Sequence, residues 1–153
     1  MPIPAGGIVT AGQLSRMQPR PHYRQAGSPT TISTTAFTAV DGCSVTLTTT
    51  APNAAYTVQA NFSYDVMTAV AGVYTKGALF VDGVQQSGEA RWTEGTSGSD
   101  SGDYDMAGKS WFGILAAAGS HTLDLRCGLS AAGGASIACT GYTDLTVTIY
   151  EVV

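Results

Sequence analysis

Histidine is the side chain most often used as a general base, and the chain has two, His22 and His121. A catalytic triad needs such a base beside a nucleophile and an orienting acid. Neither histidine lies near a nucleophile motif such as GxSxG, and His121 falls in a predicted tight turn, where histidines are usually solvated. The sequence therefore predicts no catalytic residue and a protein that is not an enzyme.

A second candidate chemistry is calcium binding by the acidic segment TEGTSGSDSGDYD, residues 93–105. Asp100, Asp103 and Asp105 supply the hard oxygen ligands that calcium prefers. Their spacing does not match an EF-hand loop, which needs acids at alternate positions and a final glutamate. We interpret the segment as an exposed, solvated loop, keep calcium as a minor alternative and predict no cofactor.

Two of the three cysteines, Cys127 and Cys139, flank a predicted hairpin centred on Gly133-Gly134. Facing residues of paired strands bring Cβ atoms about 4.5–5.5 Å apart, so a cross-strand disulfide is geometrically feasible. We favour the alternative that both are small buried hydrophobic side chains. An odd cysteine count does not indicate a secreted domain held together by disulfides.

Aromatic residues are a further candidate, because aromatic rings stack on sugars. Trp92 and Tyr104 lie at the two ends of the polar segment and are candidates for contact with a glycan or receptor. Trp111 and Phe112 belong to the same group. Such residues are more often part of the core or of a subunit contact.

Most of the chain shows the period-two alternation of half-buried strands. In YTVQANFSYDV, residues 56–66, every second residue is apolar, and Asp82-Gly83 favours a type I′ hairpin turn. About eight strands are predicted, at roughly 31–38, 43–49, 56–68, 73–82, 85–93, 107–116, 121–129 and 136–150. This pattern predicts an all-β antiparallel β-sandwich of the jelly-roll type, with a short N-terminal helix and an extended arm.

One predicted strand, residues 73–82, is apolar on both faces. A strand of a lone sandwich should have one wet face, so the second apolar face predicts a contact with another subunit.

The N-terminal region differs from the rest of the chain. Residues 1–29 are predicted to form an anchoring arm, and residues 30–153 the jelly-roll domain. Thr10 and Gln13 fit a capping box, and Pro19 ends the predicted helix, which covers about residues 11–18. A helix this short is not stable alone in water, so its apolar side chains need a surface to pack on.

Charge and hydropathy exclude several classes of protein. The net charge is −4, with three arginines and no acid in the first 29 residues and four basic and eleven acidic groups in the remainder. An acidic body does not fit nucleic-acid binding. No apolar run approaches the roughly 18 residues of a membrane span. The N-terminus lacks the basic and long apolar regions of a signal peptide, which predicts synthesis in a cytoplasm.

Three stretches carry a resemblance to a known group of proteins: PIPAGGIVTAGQLSRMQPRPHY, AAAGSHTLDLRC and YTDLTVTIYEVV. Together they resemble small structural proteins of tailed bacteriophages of actinobacteria, in which an IVTAGQL-like segment opens minor tail, fibre or capsid-decorating proteins. The GSHT hairpin with a final β-branched strand resembles the tumour necrosis factor-like jelly roll. The resemblance implies a homotrimer on the virion surface, tethered by its N-terminal segment, with no catalytic residues to carry over.

We therefore predict a bacteriophage virion structural protein, a trimeric capsid-decoration or head or tail fibre protein made in the cytoplasm of the bacterial host. The partners are other copies of the chain and a major capsid or tail protein. The apolar anchoring residues are Val9, Leu14 and Met17, and the basic ones are Arg16, Arg20 and Arg24. The alternative is a tail-tip protein that binds a host-surface glycan or receptor through residues 93–105.

Overall fold

A computed structural model describes residues 9–92, 104–139 and 141–151, except the side chain of Arg16. This part of the chain forms one short helix and two antiparallel sheets that pack face to face. The elements are α1 Ala11–Met17, β1 Arg20–Gln25, β2 Thr30–Ile32, β3 Thr38–Thr49, β4 Ala54–Thr68, β5 Thr75–Val81, β6 Val84–Gln85, β7 Ala90–Trp92, β8 Asp105–Leu115, β9 Gly119–Leu129, β10 Ser136–Cys139 and β11 Asp144–Tyr150. The predicted jelly-roll sandwich is confirmed.

The first sheet is organised around β4, its longest strand. Tyr64 of β4 pairs with both Asp105 of β8 and Cys139 of β10, so β8 and β10 lie on opposite edges of β4. β11 follows β10 along the same edge and pairs in turn with β1, while β2 pairs with β10. The second sheet has the order β3-β9-β5, and β6 and β7 pair with β5.

The core lies between the two sheets and is built from the alternating positions that the sequence predicted. The inward residues of β4 are almost fully buried, as are those of β9 and β11. The largest of those that are fully buried are Phe62, Leu123, Leu125, Leu129, Leu145 and Ile149. Each such side chain contributes about 1.5–3 kcal/mol on burial, so this layer supplies the main driving force for folding.

Several predicted boundaries were wrong because short strands carry little periodic signal. The predicted strand at 136–150 is two strands, β10 and β11, and the strand at 85–93 is β6 and β7. The extended arm contains a strand, β1, whose Arg20–Gln25 pair with the whole length of Asp144–Ile149. The two prolines near its start hid this strand from the sequence pattern.

The second apolar face of β5 is covered by the chain itself, so the predicted subunit contact at residues 73–82 was wrong. Phe37, in the segment between β2 and β3, packs edge-on against Phe80 with ring centroids 5.4 Å apart. Lys76 lies 4.6 Å from the centre of the Phe37 ring, and the Arg126 guanidinium lies 4.1 Å from that of Phe80. These two cations shield both rings from water.

The predicted Asp82-Gly83 turn is confirmed, and its aspartate forms an ion pair with the buried His121. Both residues have positive φ, 51° and 79°, as a type I′ turn requires. The Asp82 carboxylate accepts from the Thr122 amide at 2.8 Å and bonds His121 Nδ1 at 2.7 Å. His121 Nε2 bonds the Ala117 carbonyl at 3.1 Å. The expectation that His121 is solvated was therefore wrong, because both ring nitrogens are engaged and the ring is buried.

This ion pair predicts a pH dependence of stability. The bond to Asp82 raises the pKa of His121 above 6.5 despite burial. Burial pushes the pKa of Asp82 upward, but His121 and the Thr122 amide hold it below 3.8. The stabilisation by charged His121 is complete below about pH 6.5 and is lost as the pH rises through the folded-state pKa of His121. The stabilisation by charged Asp82 is lost as the pH falls through the folded-state pKa of Asp82. We expect His121→Gln to lower the free energy of unfolding by about 1 kcal/mol at pH 5.5, since Asp82 is half exposed, and by less at pH 8.

Urea denaturation at the two pH values checks this, with His22→Gln as the control. Burial and the charges of Arg20 and Arg24 lower the pKa of His22. Protonation of His22 therefore favours the unfolded chain, and the effect of His22→Gln should change with pH in the opposite direction. An equal effect of His121→Gln at both pH values would contradict the ion pair.

Candidate functional site

Helix α1 presents an apolar surface to solvent at the N-terminal end of the described chain. The predicted capping box forms: the Gln13 amide donates to Thr10 Oγ1 at 3.2 Å, and the Thr10 amide donates to Gln13 Oε1 at 2.9 Å. Leu14 is 56% exposed and Met17 48%, and Val9 is similarly open. We call these three side chains the helix patch. A two-turn helix gains little stability from its own hydrogen bonds, so the helix patch is suited to packing on another surface.

The basic residues of the leader do not act as one group. The Arg20 guanidinium bonds Glu151 Oε1 at 2.7 Å, and Glu151 also accepts from the amide and hydroxyl of Thr50 at 2.9 and 2.8 Å. Burial pushes the pKa of Glu151 upward, but Thr50 and Arg20 hold it below its usual value. Arg20 therefore ties the leader to the sandwich within one chain, whereas Arg24 is exposed. Nothing is described of the Arg16 side chain.

A second apolar surface lies on β8, an edge strand of 11 residues. Within the described residues, no strand pairs with the outer edge of β8. Phe112 is 86% exposed and Ile114 66%. Ile114 faces Ala55 on β4, which faces the partly exposed Tyr150 on β11. We call Phe112, Ile114, Ala55 and Tyr150 the β8 face. An exposed apolar face beside an unpaired strand edge is a pairing or aggregation hazard unless something covers it.

The two candidate sugar-contacting aromatics have different positions. Trp92 is only 6% exposed and stacks on Tyr64 with ring centroids 4.9 Å apart, beside Phe62 at 5.3 Å. It belongs to the core, so the prediction that Trp92 contacts a glycan was wrong. Tyr104 is exposed, and its ring contacts the ring of Tyr142. The sequence analysis did not identify Tyr142. The available signal was the position of Tyr142 between two apolar alternations, where a turn exposes its side chain.

The cysteines meet across the core instead of within one sheet. Cys127 on β9 and Cys139 on β10 belong to different sheets, so their predicted cross-strand placement was wrong, and their sulfurs lie 3.1 Å apart. Both are free and buried, as is Cys43. Burial, reinforced by Asp144, raises the pKa of Cys43 to about 12, which leaves little thiolate to react. Both side chains are buried, as the favoured interpretation expected, and a disulfide between Cys127 and Cys139, which would join the two sheets, stays the untested alternative.

The structure describes little of the candidate calcium site. Asp100 and Asp103 lie outside the described residues, and Asp105 is exposed at the start of β8. In the parts of the chain that are described, no three His, Cys, Asp or Glu side chains gather as a metal site. The same parts contain no helix long and apolar enough to cross a membrane.

Comparisons with known proteins support the fold. No protein-family model matches the chain, and no curated protein matches it. Among solved structures, the chain is similar to a chain of infectious bursal disease virus, Gt strain, with a TM-score of 0.55, 14% identity and 87% of this chain covered. It spans about a third of that viral chain, 33%. It is also similar to Eiger TNF from S. frugiperda, with a TM-score of 0.55, 10% identity, and 87% of this chain and 93% of that chain covered. At these identities the likeness shows a shared jelly-roll fold.

Proposed function

We propose that the chain is a structural protein of a bacteriophage virion, a homotrimer that docks on a capsid or tail protein through its N-terminal helix. The observation that carries the proposal is the helix patch: a capped helix that precedes the sandwich and exposes Val9, Leu14 and Met17. A jelly-roll fold shared with a chain of a virus supports it, as does the resemblance of the leader to those of phage decoration and fibre proteins.

Docking needs a leader that is held firmly to the body that it anchors. Strand β1 starts three residues after the end of α1 and pairs along its whole length with β11. The Arg20–Glu151 ion pair fixes the start of β1 to the end of the described chain. Only Gln18 and Pro19 separate the helix from the strand, so a load on the helix passes into the sheet through a short link.

The β8 face is the surface that we propose for the trimer contact. Its described residues carry no charge, so it can pack against a copy of itself without placing like charges together. Covering it would also protect the open edge of β8. We propose that each copy buries its β8 face against its neighbours, which leaves the helix patch of every copy available for the particle.

Substitution of the helix patch tests the docking function. In cells that produce particles of the phage, the double variant Leu14→Asp/Met17→Asp should enter purified particles at least about tenfold less than the natural chain, because two carboxylates replace side chains that contribute about 1 kcal/mol or more each on burial. Quantitative mass spectrometry of the particles measures the incorporation. Substitution is preferable to deletion of residues 1–26, which would remove β1 from the sheet.

The matched control is Val84→Asp/Met67→Asp, which changes two exposed apolar residues outside α1. This variant should enter particles as the natural chain does. If the helix variant also enters normally, the helix does not dock the protein.

A further inference from the structure

A groove on the sandwich lies beside the exposed tyrosine pair and is separate from both the helix patch and the β8 face. Its volume is about 440 Å³, and its walls include Ser28, Asp65, Tyr104 and Tyr142. This size lies within the usual range of about 300–1,000 Å³ for small-ligand sites, which combine aromatic walls with a few polar groups. We call it the tyrosine groove, and we propose that it binds an uncharged carbohydrate.

The aromatic wall supplies the first part of the argument. Tyr104 is 58% exposed and Tyr142 65%, and their rings meet edge to face with centroids 6.3 Å apart and planes at 78°. Two rings at nearly a right angle form a corner whose sides are apolar faces and whose rims carry hydroxyl groups. The ring of a sugar has the matching character, with C–H groups on its face and hydroxyl groups around its edge. Tyrosine suits such amphipathic ligands because one side chain offers both kinds of contact.

The polar wall supplies the second part. Ser28 donates its hydroxyl hydrogen to the Asp41 carboxylate at 2.7 Å, which turns the oxygen lone pairs of Ser28 toward other donors. Asp65 also lines the groove, but it is only 9% exposed and already has interactions of its own, so it contributes charge to the wall and is not counted among the groups that meet the ligand. No lysine or arginine is among the described residues that line the groove. Among its described residues the groove therefore offers hydroxyl groups beside one acidic side chain and no cation, which favours a neutral hydroxylated ligand over a phosphorylated or acidic polymer.

The backbone behind the groove is held in place before any ligand arrives. The Ala26 amide donates to the Thr143 carbonyl at 2.8 Å, and Gln25 Nε2 donates to the Gly141 carbonyl at 2.7 Å. Gly42, with a φ of 78°, lies so close to this backbone that a Cβ there would come within 2.7 Å of the Gly27 amide nitrogen. A wall fixed in this way loses little conformational entropy on binding.

The inference stands independently of the docking proposal, because the groove shares no residue with the helix patch. Its test is a glycan array that contains neutral, sialylated and phosphorylated glycans, followed by calorimetry with the best neutral ligand. Tyr104→Ala and Tyr142→Ala should each weaken binding at least tenfold. Tyr104→Phe keeps the ring and should weaken it less than threefold, and Val84→Ala should leave it unchanged. Each variant is first checked by its circular dichroism spectrum.

An NMR titration of the natural chain gives a second measurement that needs no variant. A neutral glycan should shift the amide signals of Ser28, Tyr104 and Tyr142 more than those of β8. Absence of binding to every neutral glycan at millimolar concentration would overturn the proposal, as would equal binding by the alanine variants. Binding of only acidic glycans, or of a proline-rich peptide instead of a sugar, would also overturn it, because tyrosine-lined grooves can bind such peptides.

Discussion

Replacement of Phe112 by arginine should convert the protein from a trimer into a folded monomer. Phe112 is the most exposed large hydrophobic residue described in the chain, on the open edge strand β8. If three copies bury this ring, each loses about 1.5–3 kcal/mol of favourable burial on substitution and must also desolvate a guanidinium group. This loss of binding free energy occurs at each of the contacts between subunits, so at micromolar concentration the trimer should disappear. Native mass spectrometry should show one chain of 15.7 kDa in place of three.

The fold should survive this change, because Phe112 contributes little to the monomer core. Val84→Arg is the matched control, since Val84 is also a well-exposed apolar residue but lies on β6, directly after the Asp82-Gly83 turn. It should leave the trimer intact. A natural chain that is monomeric at micromolar concentration, or a Phe112→Arg variant that remains a trimer, would contradict the proposed contact.

The largest effect on stability is expected at Gly77, on β5. A Cβ at this position would lie 2.6 Å from Cζ and 2.8 Å from Cε1 of Phe62. The Phe62 ring cannot move away easily, because it is fully buried between Trp92 and Trp111, with centroids at 5.3 and 6.5 Å. Gly77→Ala should therefore lower the free energy of unfolding by about 1–3 kcal/mol, and Gly77→Val by more.

Thermal unfolding measures this effect, and each kcal/mol should lower Tm by about 2–4 °C in a chain of this size. Gly12→Ala is the control, because a Cβ at Gly12 in α1 meets no atom within 4 Å. That variant should keep Tm or raise it slightly, since alanine favours helix over glycine. If Gly77→Ala is as stable as the natural chain, the packing of Phe62 on β5 is wrong.

The fold could be predicted where a strand shows apolar alternation within its own sequence. The alternation of β4 and β9 is visible in the sequence because every second residue faces the same core. Strand β1 could not be found in this way, since RPHYRQ has no apolar alternation and its strand status comes from pairing with β11, far away in the chain. The covering of Phe80 by Phe37 is likewise a contact between distant segments, which local periodicity does not report.

The candidate surfaces were predicted unevenly for a similar reason. The capped helix was predictable because Thr10 and Gln13 act within one turn of chain. Whether an aromatic side chain is exposed to solvent depends on how the opposite sheet packs against it. For this reason Trp92 was misassigned and Tyr142 was overlooked. The neutral β8 face was hidden because an edge strand and a central strand of the same sequence look alike until their neighbours are known.

Cryo-electron microscopy of purified virions of the phage proposed to encode the chain tests the central claim most directly. The proposal predicts jelly-roll trimers on the particle surface, with the helix patch of residues 9–17 in contact with a capsid or tail protein and the β8 faces buried between copies. Virions that lack the chain, or that hold it through the sandwich with the helix patch facing solvent, would contradict the account.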